Sequence, residues 1–330
     1  MAVNLTPQYL DAEAEYKKAQ TPDEKLACLK KMWTLVPKHK ASEKLQAELK
    51  TKMSQLSDQI EQVKAHPKKV GISYKFPKQG AGQYVILGAP NTGKSRLLTR
   101  LTRAAPAVAP YPFTTHEPTA GMMDWEDVKV QLIDTPPITA DVMEGWLSSI
   151  IRAADAALLM VDLGDDDCPF GAETVLERLA GVKTVLVGQP PAEEGDAAIK
   201  HVKTLLVANK IDMEGAQDRL DIIKEMFAAR FPVHVISAEH GQGLEDLRTT
   251  LYKSLNMIRV YTKQPGKPPD LTSPFTCKAG STLIQMAELV HRDFAEKLKS
   301  ARIWGTGVHD GQSIGREHVM QDKDVVELHI

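Results

Sequence analysis

The stretch Gly88-Ala89-Pro90-Asn91-Thr92-Gly93-Lys94-Ser95 spaces two glycines, a lysine and a hydroxyl as a phosphate-binding loop requires. Glycines let successive backbone N–H groups converge on phosphate oxygens at a helix start, where the helix dipole also favours negative charge. Lys94 would neutralise the β and γ phosphates of a nucleotide, and the Ser95 hydroxyl would ligate Mg²⁺. The motif follows an apolar run, 84–87, and precedes the helical pattern Arg96-Leu97-Leu98-Thr99-Arg100-Leu101. That strand-to-helix setting is the one its chemistry needs. Gly88, Pro90, Asn91, Thr92, Gly93, Lys94, Ser95 and Arg96 are therefore expected around the phosphates. A glycine-rich turn with an incidental Lys-Ser is the competing reading, and it weakens with each further motif found in order.

Asp134-Thr135-Pro136-Pro137 closes the apolar run 128–133, where an aspartate reaches Mg²⁺ through water. Asn209-Lys210-Ile211-Asp212 follows the apolar run 205–208. A carboxylate at Asp212 accepts both N1–H and the exocyclic amine of guanine, a donor pair that adenine lacks. Ser237-Ala238, after Val233-His234-Val235-Ile236, is placed to offer backbone N–H groups to guanine O6. Between the first two motifs lies Tyr111-Pro112-Phe113-Thr114-Thr115-His116-Glu117-Pro118. A threonine here, Thr115 in preference to Thr114, would close over the γ phosphate and join Ser95 and Asp134 at the metal. His116 reads as an exposed loop histidine rather than a base.

These loops need strands to hold them. The apolar runs 84–87, 128–133, 156–161, 182–187, 205–208 and 233–236 alternate with helical patterns, which predicts parallel strands covered by helices on both faces. Before them, Leu26, Leu29, Trp33 and Val36 form one helical stripe and Leu45, Leu49, Met53, Leu56, Ile60 and Val63 another. Thr21-Pro22-Asp23-Glu24 is a start signal and Pro37-Lys38-His39-Lys40 a turn, so 1–66 reads as an antiparallel helical hairpin. Residues 67–82, rich in Lys, Gly and Pro, read as a linker. The domain carrying the motifs then spans 83–257, and 258–330 reads as a compact α+β unit. That unit opens on strand-like Ile258-Arg259-Val260-Tyr261, carries a helix near 282–299 and closes on a strand at 325–330.

At 330 residues the chain is too long for one core, and its formal charge of −2 conceals a basic end. Residues 1–80 hold 15 Lys, no Arg and 9 Asp plus Glu, a balance of +6 that leaves −8 for the rest. The three cysteines, Cys28, Cys168 and Cys277, are too scattered for a metal cluster or a disulfide framework. Residues 1–20 carry Asp11, Glu13 and Glu15, and no run of about 18 apolar residues occurs, so a cytoplasmic protein without membrane partners is expected.

The motif set resembles the Obg/DRG branch of the translation-factor-related GTPases. Tyr111 to Thr115 resembles their first switch; Ile258-Arg259-Val260-Tyr261-Thr262-Lys263, Ala301-Arg302-Ile303-Trp304-Gly305 and Asp324-Val325-Val326-Glu327-Leu328 resemble the DRG TGS domain. The resemblance implies a P-loop GTPase fold with a mostly parallel sheet, an N-terminal helical hairpin and a C-terminal β-grasp TGS domain. It implies Mg²⁺-dependent GTP hydrolysis, and ribosome or RNA contact through the basic hairpin and the TGS domain. In GTPases similar at Asn91, that side chain helps hold K⁺ beside the phosphates, which would make Asn91 catalytic along with Lys94 and Thr115. Three departures stand out. Pro137 replaces a glycine and has no N–H for the γ phosphate. Ile138 stands where Ras-like enzymes use a glutamine to orient water, so slow intrinsic hydrolysis is expected. Finally, the segment between Asp134 and Asn209 lacks the large DRG insertion. Two rival functions remain: a nucleotide-binding scaffold with negligible turnover, and an Obg-like ATPase, against which Asp212 argues.

Overall fold

The computed structural model describes residues 74–103, 117–191 and 196–329, together with 8, 9, 12, 16, 22–36, 46, 47 and 49–54. The chain divides into two compact units, 1–72 and 73–330.

In the first unit, helix α1 (Pro22–Leu35) buries Leu29, Met32 and, just past its end, Val36. The spacing of these residues puts them on one helical face. They pack with Leu49 of a second helical stretch, and Trp33 and Met53 pack against the cluster from its margin. Tyr9 and Ala12 join the same core, and residues 8, 9, 12 and 16 are helical. Residues ahead of the two expected helical stripes thus share this core; their Ala- and Glu-rich sequence shows little apolar periodicity. The capping Thr21 and the turn 37–40 lie outside the described residues.

The second unit begins with residues read as linker, yet 74–82 pack on the central sheet. Phe76 O accepts from Gln83 Nε2 at 3.1 Å, and Gly80 bridges Val130. Strands β1 (Gln83–Gly88), β2 (Thr119–Trp125), β3 (Val128–Asp134), β4 (Ala156–Asp162), β5 (Thr184–Val187) and β6 (Lys200–Asn209) form a sheet ordered β2-β3-β1-β4-β6-β5, with β7 (Val233–Val235) paired to β6. All pairings are parallel except β2 with β3. Alternation along β1 sends Val85 and Leu87 into one core and Tyr84 and Ile86 into another on the opposite face. This is why β1 and β4 are apolar along nearly their whole length. Helices α2 (Lys94–Leu101), α3 (Leu147–Ala153), α4 (Cys168–Gly181), α5 (Ala216–Phe227) and α6 (Leu244–Ser254) cover the faces. Register sets Ile86 beside Asp134 and Asp162 beside Asn209, so the motif residues share the carboxyl edge of the sheet. That edge is where open α/β sheets bind ligands.

The C-terminal part is a five-stranded sheet ordered β11-β10-β12-β8-β9, with β8 (Met257–Thr262), β9 (Asp270–Lys278), β10 (Ser300–Trp304), β11 (Gln312–Ile314) and β12 (Asp324–His329). Its core places Leu283, Met286 and Ala287 of α7 (Leu283–Val290) against Val260, Ile303 and Val326. The helix expected near 282–299 is broken in two. His291 is extended (φ −168°) and its Nδ1 caps α8 (Arg292–Lys297) by accepting from Asp293 N at 3.1 Å.

Candidate functional site

The phosphate loop runs from the end of β1 into α2, and its glycines are required by close approach. Gly93 has φ +91°, and a Cβ there would lie 2.4 Å from Asn209 Nδ2. A Cβ on Gly88 would lie 2.7 Å from Met160 O. Asn91, left-handed at φ 62°, is exposed in the loop. Lys94 is buried, and its Nζ donates to Ala89 O at 2.8 Å and Gly88 O at 3.1 Å. Burial lowers its pKa to about 8, opposed by the charge of Asp134.

Ser95 Oγ donates to Asp134 Oδ2 at 2.5 Å. Asp134 is fully buried, and burial raises its pKa against the hydrogen bond from Ser95 and the charge of Lys94. Its Oδ1 has no hydrogen-bond partner. A buried carboxylate oxygen left over beside a serine hydroxyl and a phosphate loop is a set of hard oxygen donors suited to Mg²⁺. The residues present fit that ion. Thr115, expected as the third metal group, lies outside the described residues.

The two ends of the site are joined by Asn209. Its Nδ2 donates to Thr92 O and its Oδ1 accepts from Ala238 N, both at 2.9 Å. Asn209 is thus a buried clamp between the phosphate loop and the Ser237 loop. Asp212 lies beyond it. A hydrogen bond from the Ser237 hydroxyl is the main cause that holds the Asp212 carboxyl below its usual range, with His240 Nε2 3.5 Å away from Oδ2.

Several residues expected at the site have partners within the protein. Ala238 N–H, assigned to guanine O6, goes to Asn209, and Ser237 N–H goes to Gln242 O at 3.0 Å. Lys210 Nζ pairs with Asp162 at 2.5 Å. The Arg96 guanidinium pairs with Glu239 at 2.6 Å. Ile138, expected to orient no water, has its side chain fully buried in the core with Val85 and Leu87, and its N–H donates to Gly88 O at 3.2 Å. The loop after Asp134 is thereby tied to the phosphate loop, with Pro137 half-buried between. Sequence reading missed Asp162, although it ends an apolar strand as Asp134 and Asn209 do.

The profile of the 50S ribosome-binding GTPase family matches residues 83–210, and that of the TGS domain matches 258–330. GTP-binding protein 1 of Schizosaccharomyces pombe is 27% identical, over 88% of this chain and 94% of its own. Developmentally-regulated G-protein 2 of Arabidopsis thaliana is also 27% identical, over 88% and 87%. An uncharacterized GTP-binding protein of Methanocaldococcus jannaschii is 25% identical, over 88% of each chain. Among solved structures, the YchF GTPase of Schizosaccharomyces pombe shares the fold at 15% identity, with a TM-score of 0.50 over 78% of this chain and 100% of that one. With a GTPase-family match over 83–210, a TGS domain over 258–330 and DRG-type relatives across 88% of its length, the chain is an Obg/DRG-related P-loop GTPase.

Proposed function

We propose that this protein binds GTP with Mg²⁺ and hydrolyses it slowly to GDP and phosphate in the cytoplasm. The observation that carries this reading is the Asn209 clamp, which locks the loop that cradles phosphates to the loop beside Asp212. Lys94 would exchange its loop carbonyls for phosphate oxygens, and Ser95 and Asp134 would hold the metal. When bound, Mg²⁺ neutralises charge on the β and γ phosphates. Gly93 and the first turn of α2 direct backbone N–H groups at the same oxygens. Asn91, exposed in the loop, would hold K⁺, which would supply positive charge beside the β and γ phosphates.

One observation favours a scaffold with negligible turnover: Ile138 is committed to the core, so it orients no water. Single-turnover hydrolysis of bound GTP, in KCl and in NaCl at equal ionic strength, separates the two readings. We expect slow GDP formation and a gain on the order of tenfold in KCl, about 1.4 kcal/mol of barrier, that disappears in Asn91→Ala. Absence of GDP in either salt leaves the scaffold; equal rates in both salts remove the role of K⁺.

The proposed setting is the ribosome or its RNA. It is supported by the name of the matched family and by the basic first 80 residues, in which Lys30, Lys50 and Lys52 are exposed. Lys38, Lys40 and Lys44, in the same basic stretch of sequence, lie outside the described residues. Co-sedimentation with ribosomes is expected to weaken as salt rises and to fall on truncation of residues 1–66. Unchanged association after truncation would rule out that surface.

A further inference from the structure

The loop beside Asp212 is braced by arginines of α2, of which Arg100 belongs to none of the nucleotide motifs. Arg100, in the last turn of α2, donates Nε to Ala238 O at 3.0 Å and Nη2 to Glu239 O. One turn earlier, Arg96 pairs with the Glu239 carboxylate at 2.6 Å. Arg248 of α6 closes the end of α2 by donating to Leu101 O at 3.0 Å and to Arg100 O at 3.1 Å. The braced carbonyls are those of the two residues after Ser237; Ala238 N–H holds Asn209 Oδ1 at 2.9 Å and Ile211 N–H donates to Ile236 O at 3.2 Å, so the segment that carries Asp212 is tied to the same loop.

We infer that Arg100 is a positioning residue for guanine specificity: its forked guanidinium holds the carbonyls of Ala238 and Glu239, and so sets where Ser237 and Asp212 stand. This rests on the guanine-nucleotide reading above. The planar fork matters because it meets two successive carbonyls at once; an ammonium has no such geometry. Arg100 acts on the base end alone. It stands about 9 Å along the helix axis from Lys94, at ~1.5 Å per residue, while phosphates contact only the first turn. A displaced Asp212 retains one hydrogen bond to the purine more easily than two in register. The loss should therefore fall on guanine, which presents N1–H and the exocyclic amine, more than on hypoxanthine, which presents N1–H only.

The test is equilibrium binding of GTP, ITP and ATP, with Mg²⁺, to the full chain and to Arg100→Ala and Arg100→Lys. Arg100→Ala is expected to weaken GTP about tenfold and ITP by a few-fold only, leaving weak ATP binding unchanged, so that the GTP-to-ITP preference shrinks. Arg100→Lys should fall between, and it carries the same ratio test if the alanine variant does not fold. An unchanged GTP-to-ITP ratio in the variants of a protein that prefers GTP over ATP overturns the positioning role and leaves the guanine reading standing. Equal losses for all three nucleotides also overturn it, because they mark a general structural effect. No preference for GTP over ATP in the unaltered chain removes both.

Discussion

Asp212→Asn is expected to exchange the base preference of this protein, weakening GTP by about 3 kcal/mol, on the order of a hundredfold, while xanthosine triphosphate binds better than to the unaltered chain. The carboxylate offers two acceptors to two guanine donors. The asparagine amide keeps one acceptor but turns its Nδ2 donors towards the exocyclic amine, so two donors face each other. Xanthine carries a carbonyl at that position and restores the match. The local geometry adds to the effect. The Ser237 side chain is the main cause that keeps Asp212 ionised, and an uncharged amide loses that support. Leaving a polar group unpaired in a closed pocket is what gives such sites their discrimination. Competition binding with GTP, XTP and ATP checks this. A variant that still prefers GTP to XTP by the original margin would mean that Asp212 does not read the base.

Much of this site was legible because its residues sit at strand ends. Gly88, Asp134 and Asn209 each close an apolar run long enough to be a buried strand, and parallel order brings those ends to one edge. Spacing along the chain cannot show what crosses the site. The Asn209 contacts to Thr92 and Ala238, and the reach of Arg100 to the Ser237 loop, join residues far apart in sequence. The fate of Ile138 was hidden for a related reason: a neighbour in a motif can turn inward as easily as towards a ligand. Strands β2 and β9 were missed because their composition hides them. Thr119-Ala120-Gly121-Met122-Met123-Asp124-Trp125 has a glycine, two methionines and little β-branching, and is held by pairing to β3. Most of β9 is exposed or half-exposed, with a proline in it, so it carries no apolar run to read.

Arg259 looked like one residue of a short strand, and the structure makes it the hub between the TGS sheet and the β2–β3 hairpin. Its side chain is only 4% exposed. It contacts Asp127 at 2.8 Å through Nη1, Asp322 at 2.8 Å through Nη2, and Glu126. Its guanidinium carbon lies 5.3 Å from the centroid of Trp125, which stacks on Tyr252 at 3.8 Å. Tyr261 donates to Asp127. Arg259→Ala removes the buried cation and strands its partners, a change that costs about 3 to 5 kcal/mol where a pair is well buried. Glu126 and Asp322 are 50% and 41% exposed, so solvent recovers their share, and Asp127, 22% exposed, bears most of the loss. About 3 kcal/mol is therefore expected in urea unfolding at neutral pH, followed by the fluorescence of Trp125. Adding Asp127→Ala to Arg259→Ala should cost less than the sum of the two single losses, since the stranded charge is gone. Burial opposes ionisation of Asp127, but the hydrogen bonds from Tyr261 and Arg259 prevail and lower its pKa. The stability from that carboxylate is thus present above the unfolded value of about 3.9 and is lost as pH falls through the folded one, so the gap between wild type and Arg259→Ala should narrow in acid. A loss under about 1 kcal/mol, or strictly additive losses, would reduce the hub to a surface ion pair. If the loss is as large as expected, the TGS sheet is anchored through the β2–β3 turn to the strand that ends at Asp134, the residue beside Ser95.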